Sequence, residues 1–508
     1  MIKNFKWLLL VSLTFVACNN NDEEIAVYNT SDGLMPTAGT ANFSKFVSLG
    51  NSLTAGFSDN ALFIDGQKAS YTNIMAQQFK LVGGGEFKIP FMADNIGGFK
   101  INGTQVSGPR LYFNGTAPVP VTGIPTTEIL NPAIVAAGPY NNCGVPGAKS
   151  FHLLSPSYGS AAGMSVGTAN PYYVRFAPNG TTSVLAYAMS QTPTFFSLWI
   201  GNNDVLGYAT SGGDGTSLIT PSAGAAGVGF DATYDALVNT LTSAGAKGVI
   251  ANIPYVNTVP FFTTVPTNPV PLSAGQIGQL NPLFGAMNSM LAAAGQPARF
   301  QTLTASATNP LLIADEMLAY DATALYTAAF QGAPFNYPLA TAGFLGTLYG
   351  KARHASNATA SKDYILLTAR SLIGATQPGY PATNSTIGVT FPMQDNATLT
   401  ASETALVKAA TDAFNIKIKG VATAKGLAFV DTNAVMSQIS NGGITANGFT
   451  VTGTFVTGGG FSTDGVHPSP RGYALIANKF IEAINTTYSS NLKGVDLGNY
   501  RILFPKTL

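Results

Sequence analysis

The sequence predicts an α/β fold in which a parallel sheet lies between two layers of helices. Short apolar runs of strand length alternate along the chain with segments of helical periodicity. Glycine, proline or aspartate residues follow the apolar runs, where turns are expected. Alternating strands and helices are typical of βαβ units. The predicted fold class is therefore a three-layer α/β/α sandwich, with active groups expected at the carboxyl ends of its strands.

Four apolar runs are the predicted strands of this sheet. Each holds several apolar residues in succession, as a strand buried on both faces does, and each is followed by a residue typical of turns. The runs lie at residues 46–49 before Gly50, 194–200 before Gly201, 248–253 before Pro254, and 427–430 before Asp431.

Four segments have the periodicity of amphipathic helices. Residues 71–82 follow the first strand. A later helix is predicted to begin at a capping box formed by Thr400 and Glu403, and the last one at Ser469 and Pro470, which suit the N-cap and the first turn. The apolar positions that share one helix face are Phe230, Tyr234, Leu237 and Leu241, then Val407, Ala410, Phe414, Ile418 and Val421, and finally Tyr473, Ile476, Phe480 and Ile484.

Two long stretches interrupt the alternation of strands and helices. The chain has 508 residues, whereas a domain usually has about 100 to 200. Residues 83–140 are rich in Gly, Pro and Asn, and residues 263–395 include a predicted helical region at 310–330. We interpret both stretches as insertions in one domain spanning 41–508, and we expect them to form a lid or rim that holds the substrate specificity. The second is long enough to be a small domain.

Charge and composition exclude several classes of function. Charged residues make up 10% of the chain, against roughly 25% in ordinary soluble domains, and the Lys and Arg clusters that bind nucleic acid are missing. The sequence contains no His, Cys and carboxylate spacing typical of a metal site and no glycine-rich phosphate loop. We therefore expect no nucleic acid partner, no metal and no cofactor.

The N-terminus has the pattern of an exported lipoprotein. Two lysines precede an apolar run at residues 7–17 that is too short to span a bilayer, which predicts a signal peptide over residues 1–17. The run ends in Phe15-Val16-Ala17-Cys18, which resembles a bacterial lipobox, and the acidic segment that follows resembles the tethers of Bacteroidetes surface lipoproteins. This resemblance implies a lipidated Cys18, a tether over residues 18–40, and anchoring to the cell envelope, at the outer membrane. The alternative is an ordinary signal peptidase site that leaves a free thiol.

Four short motifs carry the candidate chemistry. A serine hydroxyl is a weak nucleophile until a base takes its proton, and His467 is the candidate base for Ser52. Asp464 lies three residues before His467 and can accept the other imidazole N–H. In chain order, the motifs are GNSLTAG at 50–56, NCGVPG at 142–147, GNND at 201–204 and DGVHP at 464–468.

Together the four motifs resemble the sequence blocks of the SGNH, or GDSL, hydrolases. The resemblance implies a flavodoxin-like three-layer sandwich and ester hydrolysis through an acyl-enzyme. It implies that Ser52, His467 and Asp464 form the catalytic triad. It also implies an oxyanion hole made by the backbone N–H groups of Ser52 and Gly144 and by the side-chain amide of Asn203.

One position departs from the family pattern. Asn51 stands where the name-giving Asp of Gly-Asp-Ser-Leu would be. That Asp is not a member of the triad. Asn keeps a carbonyl acceptor and adds two donors while it removes the charge, so hydrogen bonds between the blocks can survive.

The expected function is hydrolysis of a carboxylic ester: a lipid, a short acyl ester or an acetylated glycan. The alternative is a surface-anchored lipoprotein that binds a ligand or glycan with a catalytically silent hydrolase fold. Asn51 and the two insertions motivate this alternative.

The remaining histidine, cysteine and carboxylate side chains that could take part in chemistry are interpreted as structural. His152 and His354 have no neighbouring Asp at triad spacing. Cys143 lies inside the second motif without a nearby base or second thiol, so we expect a packed small residue. Asp315 and Glu316 are predicted to lie on a solvated helix face.

Overall fold

A parallel sheet forms the centre of the molecule. The computed structural model describes residues 33–305 and 308–508, so Cys18, the predicted signal peptide and most of the predicted tether lie outside the described residues. The five strands of the sheet are β1 (Phe46–Gly50), β2 (Asn142–Gly144), β3 (Phe195–Trp199), β4 (Lys247–Ala251) and β5 (Ala428–Val430).

The strands lie in the order 2-1-3-4-5, and all neighbours are parallel. This is the order of flavodoxin-like doubly wound sheets, in which ligands bind at the carboxyl ends where the winding reverses, between β1 and β3. The register places Gly50 at the end of β1 between Gly144 of β2 and Trp199 of β3. The predicted α/β class with a parallel sheet is confirmed, and all four predicted strands are present.

Seven helices position the sheet and the candidate site. Three of them follow β1 or β3, two flank β5 in sequence, one precedes β4, and one ends the core. Their bounds are α1 (Ser52–Ala55), α2 (Tyr71–Lys80), α3 (Asn203–Thr210), α4 (Phe230–Thr242), α5 (Ala401–Lys425), α6 (Thr432–Ser440) and α7 (Pro470–Tyr488).

The predicted helix starts are confirmed by their capping hydrogen bonds. Thr400 Oγ1 accepts from the Glu403 N–H at 3.4 Å, and Glu403 accepts from the Thr400 N–H at 2.7 Å. Ser469 Oγ accepts from the Gly472 N–H at 3.0 Å at the start of α7. Each cap satisfies a backbone donor that the first helical turn leaves free.

Aromatic side chains join one helix layer to the sheet. Helices α2 and α7 pack against each other. The ring of Phe79 on α2 lies 5.0 Å from that of Phe46 and 5.7 Å from that of Phe195 between ring centroids. Tyr488 at the end of α7 lies 5.8 Å from Phe195. These edge-to-face contacts bury one face of β1 and β3.

A second pair of helices forms the other layer of the core. Phe230 of α4 stacks on Phe414 of α5 with ring centroids 4.0 Å apart, and α5 contacts β4 and β5. All residues of β1 and β3 are buried, so side chains pointing to either face of the sheet are covered. Parallel sheets require this covering.

The two predicted insertions contain their own short elements. Residues 83–140 form two β-hairpins, Phe99–Ile101 with Thr104–Ser107 and Leu111–Phe113 with Pro118–Pro120, followed by the helix Pro132–Ala136. Residues 263–395 hold the helices Ala274–Ala293, Thr323–Gln331 and Leu339–Tyr349 and the paired strands Leu312–Ala314 and Ala352–His354. The remaining short α-helices are Ile64–Lys68, Pro171–Val174, Val184–Met189 and Pro260–Thr263. The remaining short strands are Tyr364–Ile365, Thr398–Leu399, Ile444–Ala446 and Phe449–Val451.

The prediction of a helix at Asp315 and Glu316 is wrong, and so is the predicted solvation of Asp315, whereas Glu316 is exposed as predicted. A strand ends at Ala314, and the helix predicted over 310–330 begins only at Thr323. Asp315 is 3% exposed and forms an ion pair with Arg353. The apolar run before Asp315 is a buried strand, which periodicity alone does not distinguish from a helix segment.

Within residues 33–305 and 308–508, no helix is both long enough and apolar enough to cross a bilayer.

Candidate active site

Ser52 lies at the junction of β1 and α1. It is the first residue of the helix and is 7% exposed. Asn51 precedes it as the N-cap, and its side-chain oxygen accepts the Leu53 N–H at 3.0 Å. The serine therefore lies at the carboxyl end of β1, beside the reversal point of the sheet.

The structure brings the three predicted triad residues together. His467 Nε2 lies 2.8 Å from Ser52 Oγ, and His467 Nδ1 lies 2.9 Å from Asp464 Oδ2. A carboxylate can only accept, so Nδ1 carries the proton and the Nε2 lone pair faces the serine hydroxyl. This is the tautomer that a base acting on Ser52 requires.

Asp464 is held as a carboxylate by donors around it. Its Oδ1 accepts the N–H groups of Val466 and His467 at 2.8 Å each, and its Oδ2 also accepts the Asn60 N–H at 2.9 Å. Burial alone would raise the pKa of Asp464, but the charge and hydrogen bonds of His467 and its neighbours lower this pKa to about 2. Asp464 is therefore ionised at neutral pH and can stabilise an imidazolium.

The loop of residues 461–468 that carries Asp464 and His467 is tightly folded. Gly465 adopts a φ of +73°, and a Cβ at this position would lie 3.0 Å from the Leu367 side chain and 3.1 Å from the Phe261 nitrogen. The Ser462 N–H donates to the His467 carbonyl at 2.8 Å. Glycine is therefore required both by the backbone conformation and by close packing.

Asp59 and Asn60 brace this loop, although no sequence motif identified them. Both lie in the left-handed region, with φ of +50° and +63°. Asp59 Oδ1 accepts the N–H of Thr463 at 2.9 Å and its hydroxyl at 2.6 Å. Burial, with a smaller contribution from the charge of Asp464, raises the pKa of Asp59 to about 6. The adjacent Asp-Asn pair was the available signal, because these residues tolerate positive φ better than most.

Asn203 supplies a candidate oxyanion donor. It is the first residue of α3, and three residues separate it from the end of β3. Its Nδ2 donates to the Ala148 carbonyl at 2.9 Å, which fixes the orientation of the amide. A primary amide has a second N–H, and Asn203, Ser52 and His467 line the same cavity.

Gly144 has a different environment from the predicted one. Its N–H donates to Asn142 Oδ1 at 2.9 Å, so an oxyanion would have to compete with an amide oxygen. Gly144 lines a separate small cavity beside Arg175. A Cβ at position 144 would lie 2.4 Å from the Ala55 nitrogen, so the glycine is required where β2 passes α1. A direct role of the Gly144 N–H in the oxyanion hole stays a prediction.

Asn51 links two of the motifs through its amide. Besides capping α1, its Nδ2 donates to Asn202 Oδ1 at 3.3 Å. Both residues are buried. The hydrogen bonds expected of this position are therefore present, although Asn stands where the Gly-Asp-Ser-Leu motif that residues 50–53 resemble has Asp.

The other histidines and the cysteine have structural environments. His152 stacks on Tyr158 with ring centroids 4.5 Å apart, and His354 accepts the Gln301 N–H at 2.8 Å. Burial lowers the pKa of each histidine to about 4. Cys143 is 0% exposed, and burial raises the pKa of its thiol to about 12, so the thiolate that a nucleophile needs is disfavoured.

Among the described residues, three carboxylates converge outside the triad. Glu316, Asp395 and Glu403 each place an oxygen within 4.8 Å of the other two. Burial and the nearby Glu316 raise the pKa of Asp395 and of Glu403. These three residues could hold a metal ion or share protons. Sequence spacing did not indicate the cluster, because Glu316 lies far along the chain from its partners.

An apolar recess opens beside the triad. Its volume is about 100 Å³, and its walls come from the ends of β3 and β5, from α3, α6 and α7, and from the loops at 254–259 and 460–468. None of these wall residues belongs to 83–140 or 263–395. The insertions instead contact the catalytic loops from outside the recess: the Leu111 N–H donates to the Asp59 carbonyl at 2.7 Å, and Leu367 packs near Gly465. The expectation that the insertions form a lid or rim holding the substrate specificity stays a prediction.

Comparison of the chain with protein-family models, curated proteins and solved structures finds no significant match. The family resemblance therefore depends on the four motifs alone.

Proposed function

We propose that this protein is a serine hydrolase that cleaves carboxylic esters through an acyl-enzyme. One observation carries the proposal: Ser52 Oγ lies 2.8 Å from His467 Nε2, while the other ring nitrogen lies 2.9 Å from the Asp464 carboxylate. The four motifs, with their resemblance to SGNH hydrolases, support the same chemistry. The strand order and the location of Ser52 at the end of β1 agree with this fold family.

The triad performs two acyl transfers. In the first, Ser52 Oγ attacks the ester carbonyl while His467 Nε2 takes its proton, and the collapse of the tetrahedral intermediate releases the alcohol with that proton. In the second, His467 activates a water that attacks the acyl-enzyme, and Ser52 regains its proton as the acid leaves. Asp464 holds the imidazole ring and stabilises its charged form in both steps.

The developing oxyanion needs donors that are already oriented. The Ser52 N–H at the start of α1 and the second N–H of Asn203 are the two donors for which the described part of the chain shows no competing acceptor. Preorganised donors of this kind stabilise the transition state more than the ground state. They cost no rearrangement during the reaction.

The natural setting proposed for this activity is the cell envelope, with the protein anchored through a lipidated Cys18. Lipid esters, short acyl esters and acetylated glycans are the substrate classes that this chemistry can serve.

The decisive experiment treats the soluble protein, without residues 1–18, with a fluorophosphonate probe and a nitrophenyl ester. We expect labelling and turnover by the wild type and neither by Ser52→Ala. The matched control is Ser44→Ala, which removes an exposed serine just before β1 and should leave both signals unchanged. A folded wild-type sample that neither labels nor turns over any ester would overturn the proposal and favour the binding lipoprotein.

A further inference from the structure

The recess beside Ser52 is built from apolar side chains that line it from three elements. Val430 ends β5, Met436 and Ile439 lie on α6, and Ile476 lies on α7. Met436 is 6% exposed and Ile439 is 8% exposed. Ser52 and His467 line the same recess. A chain bound in the recess can therefore be attached to the carbonyl carbon that Ser52 attacks.

Away from the end formed by Ser52, His467 and Asn203, several polar groups of the wall are paired within the protein. The Thr432 hydroxyl and the Trp199 indole N–H both donate to the Asn252 carbonyl. The Asn51 amide donates to Asn202. Sugar recognition needs donors and acceptors that remain free for hydroxyl groups, whereas an aliphatic chain needs only apolar surface. The recess therefore suits a hydrocarbon chain.

The acyl group gains more from such a recess than the alcohol does. In acyl-enzyme chemistry the alcohol leaves before water attacks, while the acyl group stays attached to Ser52 through both steps. A group that must remain in place benefits from burial, and a group that must leave does not.

We propose that the recess binds the acyl chain of the substrate and selects aliphatic chains of about four to six carbons, an assignment that rests on the proposed serine esterase activity. A cavity of about 150 Å³ in another protein accepts benzene. A recess of about 100 Å³ therefore holds about four carbons beyond the carbonyl. A longer chain extends out of the recess and gains little.

The selection should be visible as a chain-length profile. Burial of one methylene corresponds to about a fourfold gain in kcat/KM. Hexanoate should therefore exceed acetate by at least about tenfold, and the gain should level off at about six carbons. Acetylated xylan should be a poor substrate, because an acetyl group leaves the recess empty.

The test measures kcat/KM for nitrophenyl acetate, butyrate, hexanoate, octanoate and dodecanoate with three proteins. Met436→Trp fills the recess and should lower hexanoate hydrolysis at least about tenfold while acetate changes less than about threefold. Ile416→Trp places the same side chain at a position on α5 that is 75% exposed, and its profile should match the wild type. Thermal melting checks that each variant is folded, and Met436→Phe replaces Met436→Trp if the latter does not fold.

Several outcomes overturn the proposal in distinguishable ways. Serine-dependent activity that is highest on acetate or acetylated xylan leaves the esterase intact and rejects the acyl recess. The acyl recess is also rejected if Met436→Trp keeps the wild-type chain-length profile. It is rejected as well if chain-length selection appears with hexyl and octyl acetates, in which the alcohol varies and the acyl group does not. Absence of all ester hydrolysis and of fluorophosphonate labelling rejects the proposed function itself.

Discussion

The two halves of the proposed catalytic site are built in different ways. Ser52 and Asn203 form a strand-borne half, because each begins a helix that follows a buried parallel strand. Asp464 and His467 form a loop-borne half on residues 461–468, without regular structure of its own. The backbone hydrogen bonds of the sheet hold the strand-borne half. Hydrogen bonds of Asp59 with Thr463 and of Asn60 with Asp464 hold the loop-borne half.

The difference shows what each half depends on. A strand-borne residue inherits its position from the core, so its neighbours can change with little effect on its geometry. A loop-borne residue depends on individual hydrogen bonds, each worth about 1 kcal/mol in net stability. Substitutions in the two halves should therefore produce different balances of lost activity and altered stability.

The largest effect is expected from Asp464→Asn in the loop-borne half. The amide that replaces the carboxylate can still accept the backbone N–H groups of Val466 and His467, but it favours the wrong imidazole tautomer, and kcat should fall about 10⁴-fold. Ester hydrolysis measures the loss of activity, and urea unfolding measures any change in stability. Retention of more than about a tenth of the activity would show that the Asp464 charge is not needed.

In the strand-borne half, Asn203→Ala should reduce kcat by about 10² to 10³, because it removes one preorganised oxyanion donor. KM should change little, since the donor acts mainly on the transition state. Steady-state kinetics give both values, and Asn203→Asp serves as a variant of similar shape that lacks the N–H. Near-wild-type kcat in either variant would exclude Asn203 from the oxyanion hole.

Asp59→Asn tests the bracing of the loop through its pH dependence. The folded-state pKa of about 6 lies above the ordinary value of 3.8. The protonated form is therefore favoured on folding, and the stability contributed by Asp59 is complete below about pH 4 and is lost as the pH rises through about 6. Two pKa units correspond to about 3 kcal/mol.

The wild type should therefore lose about 3 kcal/mol of unfolding free energy relative to Asp59→Asn between about pH 4 and pH 7. Urea unfolding at both values measures this difference. Glu482→Gln, at a side chain that is 60% exposed on α7, is the control and should parallel the wild type. Parallel pH profiles for the wild type and Asp59→Asn would contradict the raised pKa.

The smallest effect is expected from Asn51→Asp, which introduces the Asp of the Gly-Asp-Ser-Leu motif that residues 50–53 resemble. Asp can still accept the Leu53 N–H but loses the donor to Asn202. A single hydrogen bond contributes about 1 kcal/mol, so activity should stay within about tenfold of the wild type. Kinetics and thermal melting check this, and a loss beyond about a hundredfold would mean that the Asn51 amide has a specific role.

The strand-borne half was more predictable from sequence than its surroundings. Apolar runs ending in turn residues located β1, β3, β4 and β5, because burial on both faces leaves a continuous apolar signal. Strand β2 has only three residues and no such signal. The triad residues were predictable because Asp464 and His467 are close in sequence and Ser52 lies in a recognisable turn.

The bracing contacts and the recess were not predictable, because they join distant parts of the chain. Asp59 contacts Thr463, which lies 404 positions later in the chain, and no local sequence pattern predicts such a contact. The recess depends on α6, which no sequence pattern indicated. The expectation that the insertions form a lid or rim stays a prediction, since their composition does not reveal which surface they contact.

The pairing of Ser52 with a histidine 415 positions later has a consequence for biosynthesis. The N-terminal part of a chain is made first, so Ser52 and all five strands of the sheet are made before His467. If the proposed function holds, the nascent protein is inert toward esters until His467 has been added and the loop that carries it has closed. A chain truncated before His467 should then show no hydrolysis.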